Sequence, residues 1–178
     1  MRIWTIGHST RSLEEFLELL APHGIEALAD VRRYPGSRRL PHFGKDALAA
    51  SLAEARIAYA HFPELGGRRR PRPDSPNTAW RNDAFRGYAD YMATEEFRSG
   101  IARLLDVAQR ARTACMCAEA LWWQCHRRLI SDLLTAAGHE VVHILGPGKT
   151  EPHPVMPPAR IVDGHLTYAS VQNDLFKT

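Results

Sequence analysis

The sequence lacks long apolar runs, contains few cysteines and has almost no lysine. No stretch of its 178 residues approaches the roughly 18 consecutive apolar residues of a membrane span, so we expect no membrane partner. The N-terminal residues lack the basic and apolar segments of a secretory signal, which predicts a cytoplasmic protein. The 3 cysteines are an odd number and lie within residues 115–125, which excludes a disulfide framework and fits a reducing compartment.

The composition is that of an ordinary globular protein. With 44% hydrophobic and 24% charged residues, the chain can form an apolar core, which excludes disorder and collagen. The length predicts one domain over residues 1–178. Residues 31–81 contain 11 basic and 4 acidic residues, a net +7, whereas the remainder contains 12 and 16, a net −4. This basic segment predicts an anionic partner, either a small molecule or nucleic acid.

Short apolar segments alternate with helical periodicity along the chain. Strands are predicted over residues 2–6, 25–31, 57–62, 113–117 and 141–145, and helices over residues 13–22, 46–56, 83–93, 95–112 and 126–137. Ser12 and Glu15 form a capping box, and Asn82 and Thr94 are expected N-caps. Residues 146–158 are expected to form a proline-rich loop, and the Asp163-Gly164 pair predicts a hairpin turn.

This order of elements predicts the fold class. Strands that alternate with helices form parallel sheets covered on both faces. We expect an α/β fold: a single three-layer domain with a mostly parallel five-stranded sheet, helices on both faces and a small C-terminal β-hairpin.

Each predicted strand ends in a polar or glycine-rich segment. These segments are residues 7–10, 30–33, 64–68, 117–119 and 146–149. In parallel sheets the ligand binds at the carboxyl ends of the strands, where such segments converge. The sequence therefore predicts a ligand site at that edge of the sheet.

The cysteine segment, residues 113–128, has several interpretations. Cys125 lies at the start of a predicted helix beside arginines, where the pKa of a thiol is lowered, so Cys125 or Cys117 is a candidate nucleophile or redox group. A metal site formed by Cys115, Cys117, Cys125 and His126 is the lesser alternative, because the Cys115-x-Cys117 pair on a strand is too close and extended for an easy tetrahedron; zinc at Cys117, Cys125 and His126 is the form of this site that we consider. Cys115 is expected to pack in the core. No cofactor is predicted.

Glu119 is a candidate for acid–base chemistry. It precedes Trp122 and Trp123, whose rings would desolvate the carboxylate and raise its pKa. Pairing with Arg127, which would only hold the helix in place, is the structural alternative.

A second candidate group surrounds the first two strand ends. Ser9 and the backbone of its turn would hold an anion. Asp30 would orient either the imidazole of His8 or the guanidinium of Arg32, both of which are common catalytic arrangements. The alternative is a network that only holds the loops. Four other histidines have no context that distinguishes them from surface residues: His23, His139, His153 and His165.

Two arginine clusters lie in loops at the same predicted edge, and aromatic rings interleave with them. The clusters are Arg32, Arg33, Arg38 and Arg39, and Arg68, Arg69, Arg70 and Arg72; the rings are Tyr34, His42, Phe43 and Trp80. Arginine with aromatic residues is the composition of a groove for single-stranded nucleic acid or a nucleobase. Two solvated loops, with arginine favoured by a GC-rich gene, are the alternative.

An ordered set of short motifs resembles one known family. The motifs are Thr5-Ile6-Gly7-His8-Ser9, Asp30-Val31-Arg32 with Pro35 and Ser37, Leu65-Gly66-Gly67, Tyr88-Ala89-Asp90-Tyr91-Met92, Cys117-Ala118-Glu119, Cys125-His126-Arg127 and His143-Ile144. From Ile3 to Tyr168, the set is similar to the bacterial and archaeal family described as domain of unknown function 488. The resemblance implies a cytoplasmic α/β domain and an action on nucleic acid or nucleotides, but no particular reaction.

Three functional hypotheses follow. The leading one is an enzyme, of hydrolase, glycosidase-like or base-modifying type, that acts on a nucleotide, nucleic acid or other phosphate-bearing substrate by carboxylate and histidine acid–base chemistry. A thiol-dependent enzyme using Cys117 or Cys125 is an alternative. A non-catalytic nucleic-acid-binding module using the arginine-rich loops is another. The oligomeric state does not follow from the sequence.

The hypotheses share one set of site residues. The predicted catalytic residues are His8, Asp30, Cys117, Glu119 and Cys125. The predicted anion- and substrate-binding residues are Ser9, Arg32, Tyr34, Ser37, Arg38, Gly66, Gly67, Arg68, His126 and Arg127.

Overall fold

Six strands form the central sheet. The computed structural model describes residues 1–36 and 38–170. The strands are β1 (Arg2–Gly7), β2 (Ala27–Asp30), β3 (Ala58–His61), β4 (Thr113–Cys117), β5 (Glu140–Gly146) and β6 (Lys149–Pro152). They lie in the order β3-β2-β4-β1-β5-β6, and the first five are parallel.

The mostly parallel sheet is confirmed, but the expected number of strands, five, is wrong. The chain reverses after β5 at Gly148, whose φ of 63° is left-handed. The following residues pair antiparallel with β5 as β6. Part of the segment that was expected to be a proline-rich loop is therefore an edge strand.

Helices cover both faces of the sheet. They are α1 (Leu13–Leu20), α2 (Lys45–Glu54), α3 (Asp83–Tyr91), α4 (Glu95–Arg110) and α5 (Arg127–Ala136). On one face, α1 and α2 bury Phe16 and Leu48 in a cluster with Ile6. On the other face, α3, α4 and α5 bury Tyr88 and Leu104 in a second cluster. The three-layer arrangement is therefore confirmed. Within the described ranges, no helix combines the length and apolar character needed to cross a membrane.

The local signals at the ends of elements are also confirmed. The Ser12 and Glu15 side chains cap α1 reciprocally, and Asn82 and Thr94 accept hydrogen bonds from the first turns of α3 and α4. The terminal hairpin consists of β7 (Arg160–Val162) and β8 (His165–Thr167). Its two turn residues both have positive φ, which a type I′ turn requires.

A buried chain of hydrogen bonds links the C-terminal segment to the sheet. The Thr5 hydroxyl donates to Nδ1 of His143 over 2.7 Å, and Nε2 of His143 donates to Nδ1 of His153 over 2.9 Å. Nε2 of His153 and the Tyr168 hydroxyl both donate to Asp132 over 2.8 Å. Each of these donors meets an acceptor when both imidazoles are neutral. The expectation that His153 resembles a surface histidine is wrong, because it is buried in this chain.

We expect the buried, neutral His143 to lower the free energy of unfolding as the pH decreases. Burial, with His153 and Arg127 nearby, lowers the pKa of His143 to about 2. An unfolded histidine takes up a proton near pH 6.5, and the folded one does not. The free energy of unfolding therefore falls as the pH decreases below about 6.5, with a slope of up to about 1.4 kcal/mol per pH unit from this group.

The measurement is urea unfolding between pH 4.5 and 7.5. His143→Gln removes the titrating group and should flatten the slope over this range. His165→Gln, at an exposed position, serves as the control and should leave the slope unchanged. An undiminished slope in His143→Gln would contradict the assignment.

Candidate functional site

A cleft of about 520 Å³ opens at the carboxyl ends of β2 and β4, beneath the start of α3. It is lined by Arg32, Arg33, Tyr34, Gly36, Gly67, Arg68, Asn82, Ala84, Phe85, Tyr88, Cys117, Ala118, Glu119, Trp123, Gln124, Cys125 and His126. Segments that follow β2, β3 and β4 converge here. No described residue of the segments 7–10 and 146–149 lines the cleft, so three of the five expected strand ends contribute.

Two thiols and one imidazole nitrogen meet in the cleft. Cys117 is the last residue of β4, Cys125 ends the connection to α5, and His126 is the N-cap residue of α5. Nδ1 of His126 lies 3.9 Å from Sγ of Cys117 and 3.6 Å from Sγ of Cys125. Nε2 of His126 donates to the carbonyl of Val31 over 3.0 Å, which turns Nδ1 towards the two sulfur atoms.

The pKa values of the two thiols in this cluster are shifted in opposite directions. Burial opposes ionisation of Cys125, but a hydrogen bond from Cys117 and the charge of His126 hold the pKa of Cys125 well below its usual value. The hydrogen bond to Cys125, together with burial, raises the pKa of Cys117. Cys115, by contrast, packs in the core as expected, and burial raises its pKa to about 12.

Glu119 and Arg127 do not form the ion pair considered from the sequence. Arg127 is 2% exposed, and its guanidinium donates to the backbone carbonyl of Glu119 and to the hydroxyl of Thr5. The Glu119 carboxylate is exposed at the cleft, and its Oε2 lies 3.2 Å from Sγ of Cys117. The carboxylate is therefore exposed to solvent and lies beside the thiol cluster. The expectation that Trp122 and Trp123 desolvate it does not agree with this exposure.

Asp30 and His8 hold Arg32 in place. Asp30 is fully buried and accepts hydrogen bonds from the Arg32 guanidinium and from the Tyr59 hydroxyl, at 2.8 and 2.7 Å. Burial, with a smaller contribution from Arg32, lowers the pKa of His8 to about 4. The neutral ring donates from Nδ1 to the carbonyl of Ser9 and accepts from Arg32 at Nε2. This arrangement positions Arg32 at the edge of the cleft.

Two glycines allow this close packing. A Cβ at Gly7 would lie 1.8 Å from the carbonyl oxygen of Glu119, so only glycine lets β1 approach the loop after β4. A Cβ at Gly67 would lie 2.8 Å from Nδ1 of His126 and would fill the space beside the thiol cluster. Gly67 therefore keeps that space open.

The two arginine clusters separate in space. Arg32, Arg33 and Arg68 line the cleft. Arg69 lies over the Tyr91 ring at 3.4 Å, and Arg72 pairs with Asp74 at the surface. Within the described ranges, neither Arg33 nor Arg68 forms an ion pair. These two are the unneutralised cations at the edge of the cleft.

The remaining predicted site residues lie at or outside the margin of the cleft. Gly66 packs against Arg33, Ser9 bonds through its N–H to the backbone of Ala118, and Arg38 is exposed away from the lining. Ser37 lies outside the described residues. Sequence reasoning did not select Asn82, Phe85 or Gln124 for the site. Their residue types and spacing match no catalytic or binding motif. Asn82 and Phe85 reach the cleft because α3 packs over it, and Gln124 reaches it from the loop before α5.

Comparison with known proteins gives one match. A family model described as "Domain of unknown function DUF488" matches residues 12–134, which is more than half of the chain and includes every residue that lines the cleft. Neither a curated protein nor a solved structure matches the chain.

We expect Asp30→Asn to destabilise the fold strongly. The substitution keeps the shape of the side chain but removes the charge that neutralises Arg32, which is 7% exposed. An uncompensated buried charge costs about 3–5 kcal/mol. Urea unfolding at pH 7 measures the effect. Asp74→Asn breaks an exposed Asp–Arg pair and should leave the unfolding midpoint unchanged; an equal response of the two variants would show that Asp30 does not hold Arg32.

Proposed function

The chain belongs to the DUF488 family, whose description assigns no activity, and we propose that it is an enzyme acting on a nucleotide-sized, phosphate-bearing substrate in the cleft. The observation that carries this proposal is the composition of the cleft. It combines two arginines that form no ion pair with the described residues, exposed aromatic rings, and a carboxylate that lies next to a thiol–imidazole cluster.

The arginine edge supplies an anion site. Arg33 and Arg68 lie in two different loops. The Arg33 guanidinium connects these loops by donating to the carbonyl of Arg68 over 3.3 Å. Arg32 has its charge offset by Asp30 and is held in one geometry. Arginine guanidinium groups match phosphate oxygens in geometry and charge. A phosphate would therefore bind Arg33 and Arg68. The Arg32 guanidinium, held in one position by Asp30, would lie next to it.

Aromatic rings beside the arginines suit a planar group. Tyr34 is 66% exposed and Trp123 is 39% exposed, and Phe85 also lines the cleft. Nucleobases stack on such rings, at about 1–3 kcal/mol per base. A volume of about 520 Å³ is within the usual range of small-ligand sites, which favours a single nucleotide over a groove for a strand.

The proposed reaction is hydrolysis with Glu119 as general base. Glu119 takes a proton from the attacking water while the hydroxyl group adds to the electrophilic atom of the substrate. The bond from that atom to the leaving group then breaks, and Glu119 returns the proton to the leaving group. The atoms balance as substrate plus water gives two products. A positioned carboxylate of this kind accelerates reactions by about 10²–10⁴-fold.

A thiol-dependent enzyme is the second candidate, and one contact favours it. Sγ of Cys125 lies 3.6 Å from Nδ1 of His126 and 3.5 Å from the backbone nitrogen of Arg127 at the start of α5. A thiol with an imidazole base at a helix N-terminus is the arrangement of many thiol nucleophiles. The Cys125 thiolate would form a bond to the electrophilic atom of the substrate as the bond to the leaving group breaks, and His126 would give a proton to the leaving group. Water would then hydrolyse the covalent intermediate and restore the thiol.

We expect Arg68→Ala and Arg33→Ala to weaken nucleotide binding. Loss of one charged hydrogen bond to phosphate costs about 1.5–3 kcal/mol, or about 10–150-fold in Kd. Isothermal titration calorimetry with the common nucleoside 5′-monophosphates and the matching nucleosides measures this loss. The nucleosides lack the phosphate, so their affinity should respond to neither substitution.

The matched control is Arg70→Ala, which removes an exposed arginine from the same loop outside the cleft. It should bind like the wild type. Equal weakening by all three substitutions would indicate only a general charge effect. Tight binding of single-stranded oligonucleotides without binding of mononucleotides would contradict a nucleotide-sized site.

We expect Glu119→Gln to bind ligand but to lose turnover. The amide keeps the size of the side chain and cannot take a proton from water, so turnover should fall by about 10²–10⁴-fold. Chromatographic analysis of products from a panel of nucleotides provides the assay. Glu54→Gln, at an exposed position on α2, is the control. Binding without turnover in the wild type would favour a non-catalytic module.

A further inference from the structure

Two thiol sulfur atoms and one imidazole nitrogen converge in the cleft, one metal-binding atom more than a thiol nucleophile with its base needs. Sγ of Cys117, Sγ of Cys125 and Nδ1 of His126 all lie within 4.8 Å of one another. We propose that these three side chains bind one zinc ion, which leaves a fourth ligand position open to the cleft.

The two sulfur–nitrogen distances fit a tetrahedral zinc site. Zinc binds thiolate sulfur at about 2.3 Å and imidazole nitrogen at about 2.0–2.1 Å, which places neighbouring sulfur and nitrogen ligands about 3.5 Å apart. Nδ1 of His126 lies 3.6 Å from Sγ of Cys125 and 3.9 Å from Sγ of Cys117. Binding therefore requires little change in the two sulfur–nitrogen distances, and the two sulfur atoms, which lie within 4.8 Å of each other, would move to their positions on the ion.

The surroundings prepare the imidazole as a ligand. Nε2 of His126 donates to the carbonyl of Val31 over 3.0 Å, which directs Nδ1 to the sulfur atoms, and Nδ1 would bind zinc after losing its proton. A zinc-bound histidine usually donates its other ring nitrogen to a carbonyl or carboxylate in this way. Gly67 leaves open the space beside Nδ1, because a Cβ there would lie 2.8 Å from that nitrogen.

The second thiol distinguishes this cluster from a catalytic thiol–imidazole pair. A nucleophile needs one thiol and one base, whereas here two thiols approach the same nitrogen, and both cysteines are less than 5% exposed. Binding of Zn²⁺ would release the thiol protons and replace two buried thiols by two thiolates whose charge the metal offsets. The backbone N–H of Arg127 lies 3.5 Å from Sγ of Cys125 and would donate to its thiolate.

The Cys-x-Cys pair whose spacing is unfavourable for zinc consists of Cys115 and Cys117 on β4. Cys115 takes no part in the cluster and is buried in the core. The ligands instead come from the end of β4 and from the Cys125-His126 pair at the start of α5, which the fold of residues 118–124 brings back to β4.

The metal would supply the polarising group of the proposed reaction. All three ligands line the cleft, and a zinc ion with three protein ligands takes water or substrate in the fourth position and lowers the pKa of bound water. Oε2 of Glu119 lies 3.2 Å from Sγ of Cys117, one of the proposed ligands. Glu119 would accept the proton of the bound water. This catalytic role rests on the proposed function, whereas zinc binding does not.

The test is the metal content of the full chain, purified in the presence of a phosphine reductant and measured by inductively coupled plasma mass spectrometry. We expect one zinc per chain in the wild type and in Cys115→Ala, the matched cysteine control. Cys117→Ser, Cys125→Ser and His126→Asn should each bind zinc at least about 100-fold more weakly, since even outer-shell changes cost about 10–100-fold. Zinc retained in these variants, or lost equally in Cys115→Ala, would overturn the proposal.

Cobalt binding keeps the proposal testable if a variant fails to fold. Co²⁺ added to wild type stripped of metal by a chelator should give a thiolate charge-transfer band and the intense visible bands of tetrahedral cobalt. Alkylation of Cys125 by iodoacetamide should slow when zinc is restored. No bound metal, no cobalt spectrum and rapid alkylation of Cys125 would overturn the proposal and favour the thiol-dependent enzyme.

The same samples separate the two proposals. If zinc is absent but nucleoside monophosphates bind in an Arg68-dependent way, the metal site is wrong and the substrate class stands. If zinc binds with the expected ligand dependence but no nucleotide binds, the metal site stands and the proposed substrate is wrong.

Discussion

The buried guanidinium of Arg127 is the interaction on which the rest of the site depends. It is 2% exposed and donates to the carbonyls of Glu119 and Ala120 and to the hydroxyl of Thr5. A buried cation needs such acceptors, because desolvation of an unpaired guanidinium is costly. The loop after β4, the strand β1 and the start of α5 are therefore held together at one point.

Two further arrangements extend from that point. Cys125 and His126 directly precede Arg127, so its anchorage places them against the end of β4 and beside Cys117. On the other side, Thr5 continues into the hydrogen-bond chain that runs through the two histidines to Asp132. The thiol cluster in the cleft and the attachment of the C-terminal segment thus share one buried support.

Much of the fold was predictable because its signals are local. Apolar runs, the Ser12 capping box and the Asp163-Gly164 turn each act within a few residues, and the alternation of strands and helices specifies a parallel sheet. Strand β6 was missed because its sequence is polar and prolines follow it. Its pairing with β5 depends on the reversal at Gly148.

The residue types of the candidate site were predictable from the sequence, but the contacts that these residues make with one another were not. Cys117, Cys125 and His126 were selected from the sequence, yet their meeting depends on how residues 118–124 fold. Asp30 was selected as a catalytic carboxylate, but the sequence did not indicate that it is buried and accepts hydrogen bonds from Arg32 and Tyr59. His153 gave no signal, because the partners that bury it, His143 and Asp132, come from β5 and α5.

The most direct test of the account is to map where a nucleotide binds. In amide NMR spectra of the reduced chain, titration with nucleoside 5′-monophosphates should shift resonances of Arg33, Arg68, Glu119 and Trp123 together and leave the opposite face unchanged. Shifts confined to the separate depression lined by Arg11, Pro22 and Gly148, or no shifts at all, would contradict the account.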